Sequence, residues 1–226
     1  MKNRIDFFDN EVVKHFSVRD EFYAEAYAYG LVLPMLPMLY EFKEPHWLRM
    51  ERIEGTPYLD TGINIPALAL TIASFHAVTY LDGLCLCHID NQPRNILHSP
   101  NGYYLIDFAD SRMDYPERDI THLLLFWAAD MPSTLFKSSC TSFLKHYTKL
   151  VALTNDKWKQ CLEKSITAFD TRRSLYRKPG GKNAPEIQAE NRLFLTQVHF
   201  TSYNRYIGNT LRCNTLPPAI HHSCIL

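Results

Sequence analysis

The sequence predicts an α+β protein of two lobes: a reduced, β-rich N-lobe at residues 1–53 and a helical C-lobe at residues 54–226. Three observations carry this. Short β-branched and aromatic runs crowd the first fifty residues around one amphipathic stretch. Gly55 and Pro57 then interrupt the pattern. Beyond them apolar residues recur at helical spacing, broken by a single hairpin signal within residues 95–108.

Taken in order, "IDFFDNEVVKHF" reads as two strands around Asp9-Asn10. Ser17 stands three residues before Asp20 as an N-cap, and a helix is expected to run to Gly30. Val18, Phe22, Glu25 and Tyr29 share one face of that helix, and a carboxylate on an apolar stripe needs a cationic partner. Strands are expected around 38–43 and 46–53, with a lobe boundary near 51–57. A helix follows over 65–80, then helices over 119–130, 133–152, 155–176 and 186–206.

The 226 residues suffice for a core, net charge is zero, and no run of eighteen apolar residues suggests a membrane span. The charged N-terminal stretch does not resemble a secretory signal, so a cytoplasmic location is expected. In that compartment the six cysteines are expected reduced and mostly buried, and Cys85-x-Cys87 lacks a second pair to complete a zinc site.

"CHIDNQPRNILHSPNGYYLIDF" carries the chemistry. Strand-like residues flank Asn101-Gly102, so a hairpin would bring Asn95 and Asp107 to one open end, with Asp90 on the loop before it. Two hard oxygen donors can hold Mg²⁺ while a separate carboxylate addresses a hydroxyl, which is what phosphoryl transfer from ATP requires.

"HIDNQPRN…LIDF" resembles the catalytic and metal-binding motifs of the protein-kinase-like superfamily. It is nearest the aminoglycoside and choline phosphotransferases and the small RIO-type and lipopolysaccharide kinases. The resemblance covers roughly residues 10–130. It implies Asp90 as the catalytic residue, Asn95 and Asp107 as Mg²⁺ ligands, and His88 as a loop histidine packed on Phe108. It further implies Lys14 as the ATP-phosphate lysine paired with Glu25, and the backbone of Glu51 and Ile53 as the adenine contact. His76 and Asp119 would steady the loop.

The chain also departs from that pattern. No glycine precedes Gly30, so the glycine-rich phosphate loop is missing. Gln92 stands where protein kinases prefer Lys, and Ala109 follows Phe108. Eleven residues between Asp107 and Asp119 leave no space for an activation segment, which favours a small-molecule, saccharide or lipid-headgroup acceptor over generic peptides.

Other readings stand beside this one. A pseudokinase or nucleotide-binding scaffold, or an atypical RIO-type protein kinase, would use the same fold. His88-x-Asp90 also fits an iron triad completed by His146 or His199. Asp119 also suits an N-cap for a helix starting at Ile120, and Lys14–Glu25 an exposed ion pair. Residues 171–226 hold eight Lys/Arg against two Glu, so Arg172, Arg173, Arg177 and Lys178 form either a solvated helix end or a surface that meets an anionic acceptor. No nucleic-acid-binding motif accompanies them, and nucleic acid is disfavoured.

Overall fold

A computed structural model describes residues 3–60, 62–175 and 182–200. Its first unit is a four-stranded antiparallel sheet in the order β1-β2-β4-β3. β1 (Arg4–Phe7) and β2 (Glu11–His15) are joined by a turn closed by the Phe8 N–H on the Glu11 carbonyl at 2.9 Å. β3 (Leu39–Lys43) and β4 (Trp47–Glu51) complete it. Between β2 and β3 runs α1 (Arg19–Gly30), which buries Phe22, Glu25, Ala26 and Tyr29 along a 3-and-4-spaced face.

Both ends of α1 differ from expectation. Val18, not Ser17, is the N-cap, because the Ser17 N–H and hydroxyl both go to the Asn3 side chain (3.2 and 3.4 Å). Gly30 ends the helix without a left-handed cap; Leu31 is right-handed, and the left-handed residue is Val32 at φ 50°.

β5 (Thr56–Pro57) pairs with β7 (Ile96–Ser99), and β7 with β8 (Gly102–Leu105). Gly55 matters here for space rather than as a breaker. A Cβ on it would lie 2.8 Å from the His98 carbonyl oxygen and 3.2 Å from Leu97 Cβ. Gly55→Ala should therefore push β5 off β7 at a cost of about 1–3 kcal/mol. The thermal midpoint reads this directly, and an unchanged midpoint would show that the β5–β7 edge yields freely.

The hairpin is shifted by one residue from the expected Asn101-Gly102 turn. Ser99 pairs with Gly102, so Pro100-Asn101 forms the turn and Gly102 (φ 123°) opens β8. Pro second and Gly fourth is a favoured order in such turns.

α2 (Ile65–Thr79), capped by Asn64 through the Ala67 N–H, leads to β6 (Cys85–Cys87), which pairs with β9 (Arg112–Asp114). Then come α3 (Pro116–Asp130), α4 (Ser133–Tyr147), α5 (Asn155–Leu175) and α6 (Pro185–Thr196). α3 is the axis of this lobe. Its Ile120, Leu123, Leu124 and Trp127 are fully buried, and the Trp127 indole donates to the Tyr58 hydroxyl at 2.7 Å.

Two expected helices stop early. α4 tightens into a turn after Tyr147, where the Thr148 hydroxyl takes the Leu144 carbonyl (2.8 Å). α6 ends at Thr196, because Asn155 holds Phe200 through both backbone groups (2.7 and 3.1 Å); positions 201–206 lie outside the described residues. No helix among the described residues is long and apolar enough to cross a membrane.

Candidate active site

The loop that carries Asp90 is bent under strain. Ile89 adopts φ 66°, an outlier for a β-branched residue, and the Asp90 N–H closes the turn on the His88 carbonyl at 2.8 Å. The buried Asp119 carboxylate holds this bend by accepting the His88 and Ile89 N–H groups at 2.6 and 2.7 Å. It also accepts from His76 Nε2 at 3.0 Å, while His76 Nδ1 meets the Tyr147 hydroxyl at 2.6 Å. Burial opposes charge on Asp119, but these donors keep its pKa below the usual carboxylate value. Asp119 lies in the first turn of α3, three residues after its start, so it is not the helix cap.

His88 packs its ring 4.4 Å from Phe108 and engages the Ile106 carbonyl through Nε2 at 2.8 Å. Asp90 itself is buried. Its Oδ2 accepts from Gln92 at 2.7 Å and from Asn95 at 3.3 Å, and its backbone carbonyl accepts from Asn95 at 2.7 Å. Burial raises the Asp90 pKa, partly offset by Arg172.

Lys14 enters from β2. Its ammonium lies 2.5 Å from Glu25 on α1 and 2.6 Å from Asp107 after β8. This pair is not a surface contact: the Lys14 and Glu25 side chains are 7% and 1% exposed. Burial pushes Glu25 up to about 7, against the pull of Lys14. For Lys14 burial works the other way, but the two carboxylates outweigh it and raise its pKa. Lys14 likewise overcomes burial at Asp107 and lowers that group.

Asp107 sits in left-handed backbone (φ 67°), tolerable for Asp, with its N–H on the Tyr29 hydroxyl at 3.0 Å. The Ile106 N–H meets the Asn95 carbonyl at 3.0 Å, so Asn95 and Asp107 flank the open end of the hairpin. Glu51 ends β4, its N–H given to Met38 at 2.8 Å, and Ile53 is half-buried on the segment leaving the sheet.

Neither a family model nor a curated protein sequence matches the chain. Solved structures do. A choline/ethanolamine kinase family protein of Mesorhizobium loti aligns at TM-score 0.57 and 10% identity, covering 87% of this chain and 84% of that one. Choline kinase LicA of Streptococcus pneumoniae aligns at TM-score 0.56 and 16% identity, covering 86% and 88%. An aminoglycoside phosphotransferase of Streptomyces rimosus, in complex with ADP and streptomycin, aligns at TM-score 0.50 and 13% identity, covering 68% and 85%. The chain has the protein-kinase-like fold.

Within this kinase-like fold, one contact of the site has no signal in the sequence. Arg172 of α5, read as part of either a solvated helix end or a surface for an anionic acceptor, bonds Asp90 Oδ1 and reaches Asp110 Oδ2 at 3.0 Å. The side chain of Arg173, and Arg177 and Lys178, lie outside the described residues. The iron-triad alternative fails: among the described residues only His76, Cys85 and Cys87 gather as a possible ligand group. Both nitrogens of His76 are already engaged there. His146 is turned to the Ser142 carbonyl at 2.8 Å, and His199 is exposed.

Proposed function

We propose that the chain is an ATP- and Mg²⁺-dependent phosphotransferase that acts on a hydroxyl. The observation that carries this reading is the ammonium of Lys14 held between Glu25 and Asp107, at 2.5 and 2.6 Å. Residues from two strand ends and a helix converge there, beside a loop braced at Asp119.

In this reading residues 1–53 form the N-lobe and 54–226 the C-lobe. Lys14, positioned by Glu25, binds the α- and β-phosphates. Adenine offers an N–H and a ring nitrogen acceptor, which the Glu51 carbonyl and the Ile53 N–H would meet. The donor set fits a hard divalent cation: Asn95 and Asp107 present amide and carboxylate oxygens, and the Asp107 side chain is 41% exposed. Bound there, Mg²⁺ would offset charge on the phosphates.

Asp90 orients the acceptor hydroxyl and takes its proton as the acceptor oxygen bonds to the γ-phosphorus and the bond to ADP breaks. Asn95 and Gln92 fix the carboxylate for that task. His88 and Asp119 support the loop without touching substrate. The eleven residues between Asp107 and Asp119 are filled by β9 and the start of α3, so a small molecule, saccharide or lipid headgroup is preferred to a generic peptide acceptor.

One observation favours a second reading, a scaffold without turnover. Only Phe8, Asp9 and Asn10 join β1 to β2, and no glycine-rich loop covers a phosphate there. Thermal unfolding with ATP and Mg²⁺ separates the two, since a ligand of the folded state adds about 2.7 kcal/mol at a hundred times its Kd. The phosphotransferase reading expects a midpoint that climbs with nucleotide and measurable γ-phosphate release. A midpoint indifferent to ATP, ADP and Mg²⁺ would sink it.

A further inference from the structure

Arg172 stands where the acceptor must arrive. Asp90 Oδ2 is already held by Gln92 and Asn95, so orienting that carboxylate does not require a cation as well. Arg172 instead sits on Oδ1, the oxygen left for an incoming hydroxyl. It comes from α5, 82 positions along the chain, and its side chain remains 43% exposed. Its second carboxylate, Asp110, is 49% exposed. The Asp110 pair is open on both sides and contributes little, whereas the Asp90 carboxylate is 12% exposed, so the guanidinium leaves Asp90 only when the hydroxyl takes its place on Oδ1 and the ligand brings an anion of its own.

We propose that Arg172 reads an anionic group, phosphate or carboxylate, carried by the acceptor beside the hydroxyl to be phosphorylated. This rests on the phosphotransferase reading and deepens it. A guanidinium has five N–H donors in a planar fork that matches carboxylate and phosphate geometry. Asp90 and Asp110 use one donor from each terminal nitrogen, which leaves capacity for a further anion. As the hydroxyl takes Oδ1, the guanidinium swings from Asp90 to the acceptor's own charge. A cationic acceptor meets like charge at the same point. The site therefore selects against choline, for which two of the structural neighbours are named, and against streptomycin, bound by a third.

The same cation could serve the γ-phosphate of the nucleotide, so the test separates donor from acceptor. The full chain is first titrated with Mg²⁺ and AMP-PNP or ADP, following the thermal midpoint. A midpoint that ignores both nucleotides refutes the phosphotransferase reading itself. With AMP-PNP and Mg²⁺ saturating, glycerol 3-phosphate, glucose 6-phosphate and glycerate are compared with choline, streptomycin and glucose. At least one anionic probe should raise the midpoint, and the cationic and neutral ones should not. Arg172→Gln should weaken the anionic probe at least about tenfold, the scale of a lost charge-assisted hydrogen bond. Asp110→Asn, which frees the guanidinium, should tighten it severalfold; a merely structural Arg172 would not produce that gain. The proposal is overturned if choline or streptomycin binds, if no anionic probe does, or if its binding survives Arg172→Gln. It is equally overturned if Arg172→Gln weakens AMP-PNP but not ADP, which would assign the residue to the γ-phosphate.

Discussion

Asp107→Asn is expected to lower γ-phosphate turnover by at least ~10²-fold at saturating ATP and Mg²⁺, with the fold intact. Phosphoryl transfer is accelerated mainly by positioning and charge compensation, and losing one such group costs roughly 10²–10³ in rate. Asn is the discriminating replacement. It removes the charge that faces Lys14 at 2.6 Å but suits the left-handed backbone at φ 67° almost as well as Asp. Asp107→Ala would add backbone strain and confuse a lost ligand with a distorted hairpin end. Steady-state γ-phosphate release, paired with a thermal midpoint, gives the answer. Wild-type turnover in the Asn variant would remove Asp107 from the metal-binding role and with it the proposed chemistry.

Patterns confined to neighbouring residues were the legible ones. The strand pair before α1 and the helices beyond Ile65 follow from local periodicity, and the structure places their starts within a few residues of expectation, while α4 and α6 end five and ten residues early. Glu25 announced a partner because a lone carboxylate on an apolar helical face is costly to bury, and Lys14 meets it at 2.5 Å. The second contact of Lys14, with Asp107, spans 93 positions, and no local pattern signals it.

The contact of Arg172 with Asp90 was hidden for a related reason. In a run of like charges nothing local says which one the fold turns inwards, and the side chain has apolar stem enough to suit either side. Ser17 failed as a cap because Asn3, fourteen residues away, competes for both of its donors. The strained bend at Ile89 had no signal at all. A β-branched residue predicts extended backbone, and it takes the Asp119 carboxylate, thirty positions later, to hold it otherwise.

That dependence makes Asp119 the residue whose loss should cost most in stability. Asp119→Ala should destabilise the chain by about 3–5 kcal/mol, the usual penalty for removing one partner of a buried ion pair. His76 would be stranded without its counter-ion, and the His88 and Ile89 N–H groups would be buried without an acceptor. Against a total of roughly 5–15 kcal/mol this is severe. Should the variant not fold, the His76→Gln and Asp119→Asn double-mutant cycle in urea still tests the pair, and independent, additive costs would refute it.

The pH profile of the wild type gives a second check on the same group. Burial alone would lower His76, but the Cys85 thiolate and Asp119 outweigh it and push His76 up to about 10. Its stabilisation is complete below the unfolded value of ~6.5 and is lost as pH rises through about 10. Cys85 moves oppositely: the hydrogen bond from Cys87, aided by His76, brings it down to about 6. Its contribution therefore grows up to the unfolded thiol value of ~8.5, and the two cancel below that. Above pH ~8.5 the loss from His76 is joined by those from Cys87, Cys140 and Cys161, whose burial keeps them protonated. Stability should thus be level from pH ~7 to ~8.5 and then fall by at least ~1.4 kcal/mol per unit towards pH 10. The part due to His76 is the part lost in His76→Gln, and a slope above pH ~8.5 that this substitution leaves unchanged would mean His76 is neutral in the fold, leaving Asp119 to hold the loop through its backbone donors alone.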